Sequence, residues 1–195
     1  MPFKQIKKYY FDLVPSLTQE IWKEMETNAI FDTYKKGENY IVPGQQEDYV
    51  TFINTGGFKY FVVSEDREQI CDFIFENEYM SEYGGFIKRI PSNIYIQALE
   101  DSEVIKFHYN HVQEFYEKYP DLQKFGRLIA EKFLLDIIER STSLLFTTPE
   151  ERYNELASSN PKLLQRVPQY MIASFIGVTP EALSRIRRRM VYQTT

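Results

Sequence analysis

The sequence predicts an α+β chain: an antiparallel β-roll of the double-stranded β-helix or jelly-roll type with flanking helices, a long connecting helix, and an all-helical C-terminal unit ending in a helix-turn-helix. Three observations predict it. Short runs rich in Phe, Tyr, Ile and Val recur between turn signals from Ala29 to about Lys106. Apolar residues keep helical spacing from 121 to 145. Residues 169–189, QYMIASFIGVTPEALSRIRRR, have the small-residue, glycine and apolar pattern of two short helices crossing over a tight turn.

In chain order, Phe3, Ile6, Tyr10, Leu13, Leu17, Ile21, Trp22 and Met25 lie at helical spacing, with Pro15 ending one helix and Thr18 placed to cap the next. Strand-like segments follow at 40–42, 49–54, 57–63, 69–75, 94–99 and 103–107. They are separated by Lys-Lys-Gly-Glu, Pro43-Gly44, Gly56-Gly57, Ser64–Arg67 and Pro91-Ser92-Asn93. Residues 111–119 form a short helix ended near Pro120, and the long helix carries Leu122, Phe125, Leu128, Ile129, Phe133, Leu134, Ile137 and Ile138. Thr148-Pro149-Glu150-Glu151 starts a helix running to about Ala157, followed by a loop through Ser158-Ser159-Asn160-Pro161. The chain thus divides into 1–120, a connecting helix 121–145 and a C-terminal unit 146–195.

Composition narrows the function. With 43% hydrophobic residues, 15 Tyr and 15 Phe, the chain has ample material for a packed core. The net charge of −5 is unevenly spread: residues 140–195 carry 8 Lys/Arg against 4 Asp/Glu, whereas 1–139 carry 15 against 24. An acidic body joined to a basic end implies two jobs, with only the end suited to phosphate. One cysteine, Cys71, excludes an intramolecular disulfide, and its alternating context QICDFIF predicts a buried structural thiol. No secretory signal and no membrane-spanning run are visible, so a cytoplasmic protein is expected.

The helix-turn-helix residues each have a physical job. Ala173 leaves room for the crossing helix, and Gly177 supports the backbone reversal. Thr179 caps the second helix and Pro180 suits its first turn. Ile172, Ile176, Val178, Leu183, Ile186 and Met190 supply the apolar side, which leaves Glu181, Ser184, Arg185 and Arg188 facing outward. Arginine can fork onto guanine and a carboxylate can accept from cytosine, so Glu181, Ser184 and Arg185 are base-reading candidates. Thr179, Arg187, Arg188 and Arg189 are expected to grip or flank the DNA backbone.

Roll, long helix and the segment IASFIGVTPEALSRI together resemble the Crp/Fnr family of bacterial transcription regulators. The resemblance covers nearly the whole chain. It implies a cyclic-nucleotide-binding-like sensor at 1–120, a homodimer joined along 121–145, double-stranded DNA with a palindromic operator as partner, a small-molecule effector in the roll, and room for a contact with RNA polymerase. Glu181, Ser184 and Arg185 match the family's outward E-x-x-S-R pattern. The family's phosphate cassette, G-E-L-(small)-x followed by R-(S/T)-A, corresponds to Ser81-Glu82-Tyr83-Gly84-Gly85 and Ser92-Asn93-Ile94, making Glu82, Tyr83, Gly84, Ser92 and Asn93 the candidate effector pocket. Ser92 stands at the cassette arginine, which argues against cyclic AMP, because a hydroxyl compensates a buried phosphate poorly; Lys88 or Arg89 would have to substitute. No other cofactor is implied.

Enzyme chemistry finds little support. His108 and His111 are the only histidines and lack a metal-site context, so a turn or surface location is expected. Gly56-Gly57 and Gly84-Gly85 are too short for phosphate loops, and Glu76, Glu78 and Glu82 read as a solvated strand end. The competing class is a ligand-binding or protein-interaction module whose C-terminal helices hold a protein rather than DNA.

Overall fold

The computed structural model describes residues 2–193. Helices α1 (Lys4–Leu13) and α2 (Gln19–Asn28) open the chain, and the Thr18 hydroxyl caps α2 by accepting from the Ile21 N–H. Strands β1 (Ile30–Tyr34), β2 (Asn39–Ile41), β3 (Tyr49–Thr55), β4 (Gly57–Ser64), β5 (Arg67–Phe75) and β6 (Tyr79–Met80) lead to a short helix α3 (Tyr83–Lys88), then β7 (Tyr95–Ala98) and β8 (Ser102–His108). Helices α4 (Tyr109–Lys118), α5 (Pro120–Phe146), α6 (Pro149–Ser159), α7 (Pro161–Arg166), α8 (Gln169–Ile176) and α9 (Pro180–Gln193) complete it.

The strands form two four-stranded sheets, β1-β8-β3-β6 and β2-β7-β4-β5. In the first, β8 pairs antiparallel with both β1 and β3, from Ile30 opposite Lys106 to Tyr34 opposite Ser102 on one side and from Tyr49 opposite His108 on the other. Strand alternation sends Tyr34, Ile53, Met80 and Val104 of this sheet against Ile41, Phe58, Ile96 and Ala98 of the other, and this apolar layer is the interior of the roll. The opposite face of β3 and β6 carries Phe52 and Tyr79 against Tyr9 and Tyr10 of α1 and Phe125 of α5, with the Tyr10 and Phe125 rings stacked at 3.8 Å.

The chain forms two compact units. One contains residues 1–61 and 72–132; the other contains 133–195 and, from far earlier in the chain, 62–71. That earlier piece is the tip of the β4–β5 hairpin, turned by Glu65 and Asp66, whose positive φ values of 50° and 58° suit a two-residue turn of the mirror-image type. The Ile70 N–H donates to the Ser174 hydroxyl on α8 at 3.0 Å, and that hydroxyl donates to the Glu68 carbonyl at 3.2 Å. Within the second unit, the 133–146 stretch of α5 leaves Leu134, Leu135, Ile137, Ile138, Leu144, Leu145 and Phe146 exposed.

Four features differ from the sequence expectation. Strand β1 carries no strand signal in the sequence, because only Tyr34 among its residues is buried and no turn signal separates it from α2. Strand β6 is two residues long, below any periodicity. Helix α7 replaces the continuing loop: the Asn160 side chain accepts from the Leu163 N–H and Pro161 occupies the first turn. Cys71 is exposed rather than buried, since it shares a face with Phe73 and Phe75 but lies nearer the hairpin tip, where that face is uncovered. His108 caps α4 by accepting from the Asn110 N–H. Among the described residues no helix is long and apolar enough to cross a membrane, and no group of three or more His, Cys, Asp or Glu could hold a metal ion.

Candidate nucleic-acid interface

Helices α8 and α9 are joined by a turn whose geometry follows from its residues. Gly177 adopts φ +77°, and its N–H donates to the carbonyls of Ala173 and Ser174 while the Val178 N–H donates back to Ala173. This is a left-handed helix stop that leaves few carbonyls stranded. A Cβ at Gly177 would come no closer than 3.7 Å to the Arg152 guanidinium, so backbone conformation rather than space demands glycine. Thr179 caps α9 through its hydroxyl, which accepts from the Ala182 N–H at 3.3 Å. Ile172, Ala173, Ile176, Leu183 and Ile186 are buried between the two helices and their supports, while Val178 is partly exposed.

The outward side of α9 carries exposed Glu181, Ser184, Arg185 and Arg188, as the spacing predicts. The Glu181 carboxyl is held below the usual range by its own backbone N–H, then by the Thr179 hydroxyl and the Arg185 charge one turn on. Ser184 donates to the Pro180 carbonyl at 3.0 Å, which fixes its hydroxyl and keeps its lone pairs turned outward as acceptors. The flanking arginines are not equivalent. Arg187 donates to the Gln169 side chain at 2.6 Å and Arg189 pairs with Glu150 at 2.9 Å, whereas Arg185 and Arg188 have no ion-pair partner among the described residues.

Two arginines that spacing alone did not mark hold this unit together. Arg152 of α6, only 9% exposed, donates from Nε to the Ile176 carbonyl at 2.9 Å and from Nη1 to the carbonyls of Ser143 and Thr147. It thereby brings a charged donor to carbonyls at the ends of both α5 and α8. Arg140 donates to the Phe175 carbonyl and lies over the Phe175 ring at 3.8 Å. Both sit in amphipathic helices where a charged residue ordinarily faces water, so nothing in the sequence pattern distinguishes them.

Most of the candidate effector residues have local partners of their own. Glu82 caps α3, its carboxylate accepting from the Gly85 N–H at 2.8 Å. Ser92 is buried but bonded to its own turn, through the N–H and carbonyl of Ile94. Gly84 and Asn93 are exposed, and Tyr83 is half-buried with its ring stacked on Phe86. Arg89 pairs with Asp48 and donates to the Glu47 carbonyl at 2.8 Å; Lys88 is exposed.

A residue unmarked by sequence pattern dominates the interior at this point. Glu47 is 2% exposed, and its carboxylate accepts from the Tyr40 hydroxyl, the Tyr49 N–H and the Glu82 N–H at 3.1, 3.0 and 3.2 Å. Burial pushes its carboxyl up to about 7 against the pull of those three donors, and the charge of Glu82 pushes the same way. A buried acid facing the cassette is the opposite of what an anionic phosphate requires.

Comparison with known proteins places this architecture. Residues 31–119 match the cyclic nucleotide-binding domain model. The fold is that of solved regulators: the c-di-GMP responsive global regulator CLP of Xanthomonas campestris (TM-score 0.71, 17% identity, 91% of this chain and 93% of that one) and FixK2 of Bradyrhizobium japonicum (0.72, 17%, 85% and 86%). A Eubacterium rectale protein assigned as a transcriptional regulator of the Crp/Fnr family superposes with TM-score 0.73 at 14% identity, covering 94% of this chain and 88% of that one. No curated protein sequence matches the chain. Residues 31–119 are thus similar to the cyclic nucleotide-binding domain family, and the chain has the fold of solved Crp/Fnr-type regulators.

Proposed function

We propose that this chain is a sequence-specific, DNA-binding transcription regulator, not an enzyme, which acts in the cytoplasm as a homodimer on a palindromic operator. Helix α9 enters the major groove and reads bases with Glu181, Ser184 and Arg185. Thr179 and Arg188 meet phosphates, and Arg187 and Arg189 flank them. The half-sites lie about one helical turn, roughly 34 Å, apart. The observation that carries this reading is the division of α9: Glu181, Ser184 and Arg185 are exposed while Leu183 and Ile186 are buried.

The dimer rests on the exposed apolar residues of α5 between Leu134 and Phe146, an area whose natural cover is the same helix of a second copy. The roll responds to a small effector other than cyclic AMP: Ser92 is committed to Ile94, Arg89 to Asp48, and the nearby interior acid is Glu47. Selection of bound fragments from a random duplex pool with the full chain, followed by salt-titrated shift assays, tests the proposal. Enrichment of an inverted repeat with a steep salt dependence is the expected result. Absence of any duplex binding across the salt range would instead favour a protein partner for the C-terminal helices.

A further inference from the structure

The first turn of α6 carries two carboxylates with different duties. Glu151 completes the helix start: its carboxylate accepts from the Thr148 N–H at 2.7 Å, and its own N–H donates to the Thr148 hydroxyl at 3.3 Å. Glu150 takes no part in that cap. Its carboxylate instead meets the Arg189 guanidinium of α9 at 2.9 Å, with 31% of the Glu150 side chain and 61% of the Arg189 side chain exposed. A pair this open to water adds little to stability, so folding does not account for it.

The pair lies in a groove of about 630 Å³ that α6 and α9 line together. Three guanidiniums face into it, those of Arg185, Arg188 and Arg189, against the single carboxylate of Glu150. Arg185 and Arg188 have no ion-pair partner among the described residues, so of the three it is Arg189 whose charge is already answered. Both free arginines belong to the outward face of α9, and the groove therefore opens on the side assigned to DNA. A concave surface with an excess of cations attracts phosphate. The planar guanidinium fork accepts a carboxylate or a phosphate in the same way, so the two anions compete for Arg189.

Resting on the DNA-binding reading above, we propose that this groove is a phosphodiester site of the DNA interface in which Glu150 is an internal competitor, its carboxylate holding the Arg189 fork that a backbone phosphate would otherwise take. Two guanidiniums are open to the duplex from the start, and engaging the third requires breaking the pair with Glu150. The carboxylate thereby holds down attraction that depends on charge alone. Backbone contacts carry no base information, so operator and unrelated duplexes feel this restraint alike.

A double-mutant cycle on the full chain tests it, with binding to a labelled duplex of random sequence read by fluorescence anisotropy over a range of salt concentrations. Glu150→Gln should tighten binding about threefold to fivefold and steepen the salt slope by about one. Arg189→Ala should be nearly neutral in the native background, yet in the Glu150→Gln background it should undo both gains. Glu155→Gln removes an exposed acid of α6 outside the groove and should leave the slope unchanged, which controls for net charge. Equal costs of Arg189→Ala in the two backgrounds overturn the proposal, as does a Glu150→Gln protein that binds more weakly or with an unaltered slope. A native chain that binds no duplex at any salt overturns the regulator reading and this site with it, whereas duplex binding without coupling between Glu150 and Arg189 overturns this site alone.

Discussion

The Arg152 Nε donates to the Ile176 carbonyl at 2.9 Å, joining the start of α6 to the last turn of α8 just before the helix-turn-helix reverses. The same guanidinium reaches the end of α5, so three carbonyls lose their only charged donor if it is removed. Arg152→Ala is expected to destabilise the protein by about 2–3 kcal/mol in denaturant unfolding. Arg152→Lys should rescue little, because a single ammonium cannot span the fork.

Base reading and backbone contact should separate along α9. Arg185→Ala is expected to cost about 1–3 kcal/mol in operator affinity and to relax preference at one base pair. Arg188→Ala should weaken all sequences alike and lower the salt slope by about one. Arg187→Ala should change affinity less than Arg188→Ala, since its guanidinium already serves Gln169. Equal losses for all three in shift assays would contradict the division.

Glu47 makes stability depend on pH in a defined direction. Burial lifts its carboxyl from 4.5 to about 7, so the folded state holds a proton that the unfolded state releases. The stabilisation this lends is complete below the unfolded value and is lost as pH rises through about 7, a change of about 3 kcal/mol between those limits. The surrounding Tyr40, Tyr49, Tyr60, Glu82, Asp48 and Arg89 include no cation on the carboxylate itself. Glu47→Gln is expected to flatten that part of the stability profile. Denaturant melts at pH 5 and pH 8 compare the two proteins.

Oligomeric state should respond to one residue on α5. Ile137 is 63% exposed, and Ile137→Glu places a charge in the apolar strip without disturbing a buried side chain. Sedimentation equilibrium is expected to show a dimer for the native chain and a monomer for the variant, with the stability of the monomer fold unchanged.

The sequence made the helix-turn-helix legible because each of its demands falls on a residue type that can satisfy it locally: Gly177 for the positive φ, Thr179 for the cap, Leu183 and Ile186 for the buried stripe. The roll was legible through alternation, except where β1 exposes most of its residues and β6 is too short to alternate. Asn160-Pro161 reads as loop chemistry, although the same pair starts α7 as cap and first residue. Glu47 and Arg152 could not be anticipated. Their roles come from contacts with residues of other elements, which spacing along one element does not encode.

The hydrogen bonds of Ser174 with Ile70 and Glu68 link positions 104 and 106 residues apart. On the ribosome, the hairpin tip therefore emerges long before its counterpart in α8 exists, and this part of the molecule closes only after α8 has been made. A shortened gene encoding just the terminal helices would omit 62–71, leaving Ser174 to solvent on a fragment that has lost one of its own walls.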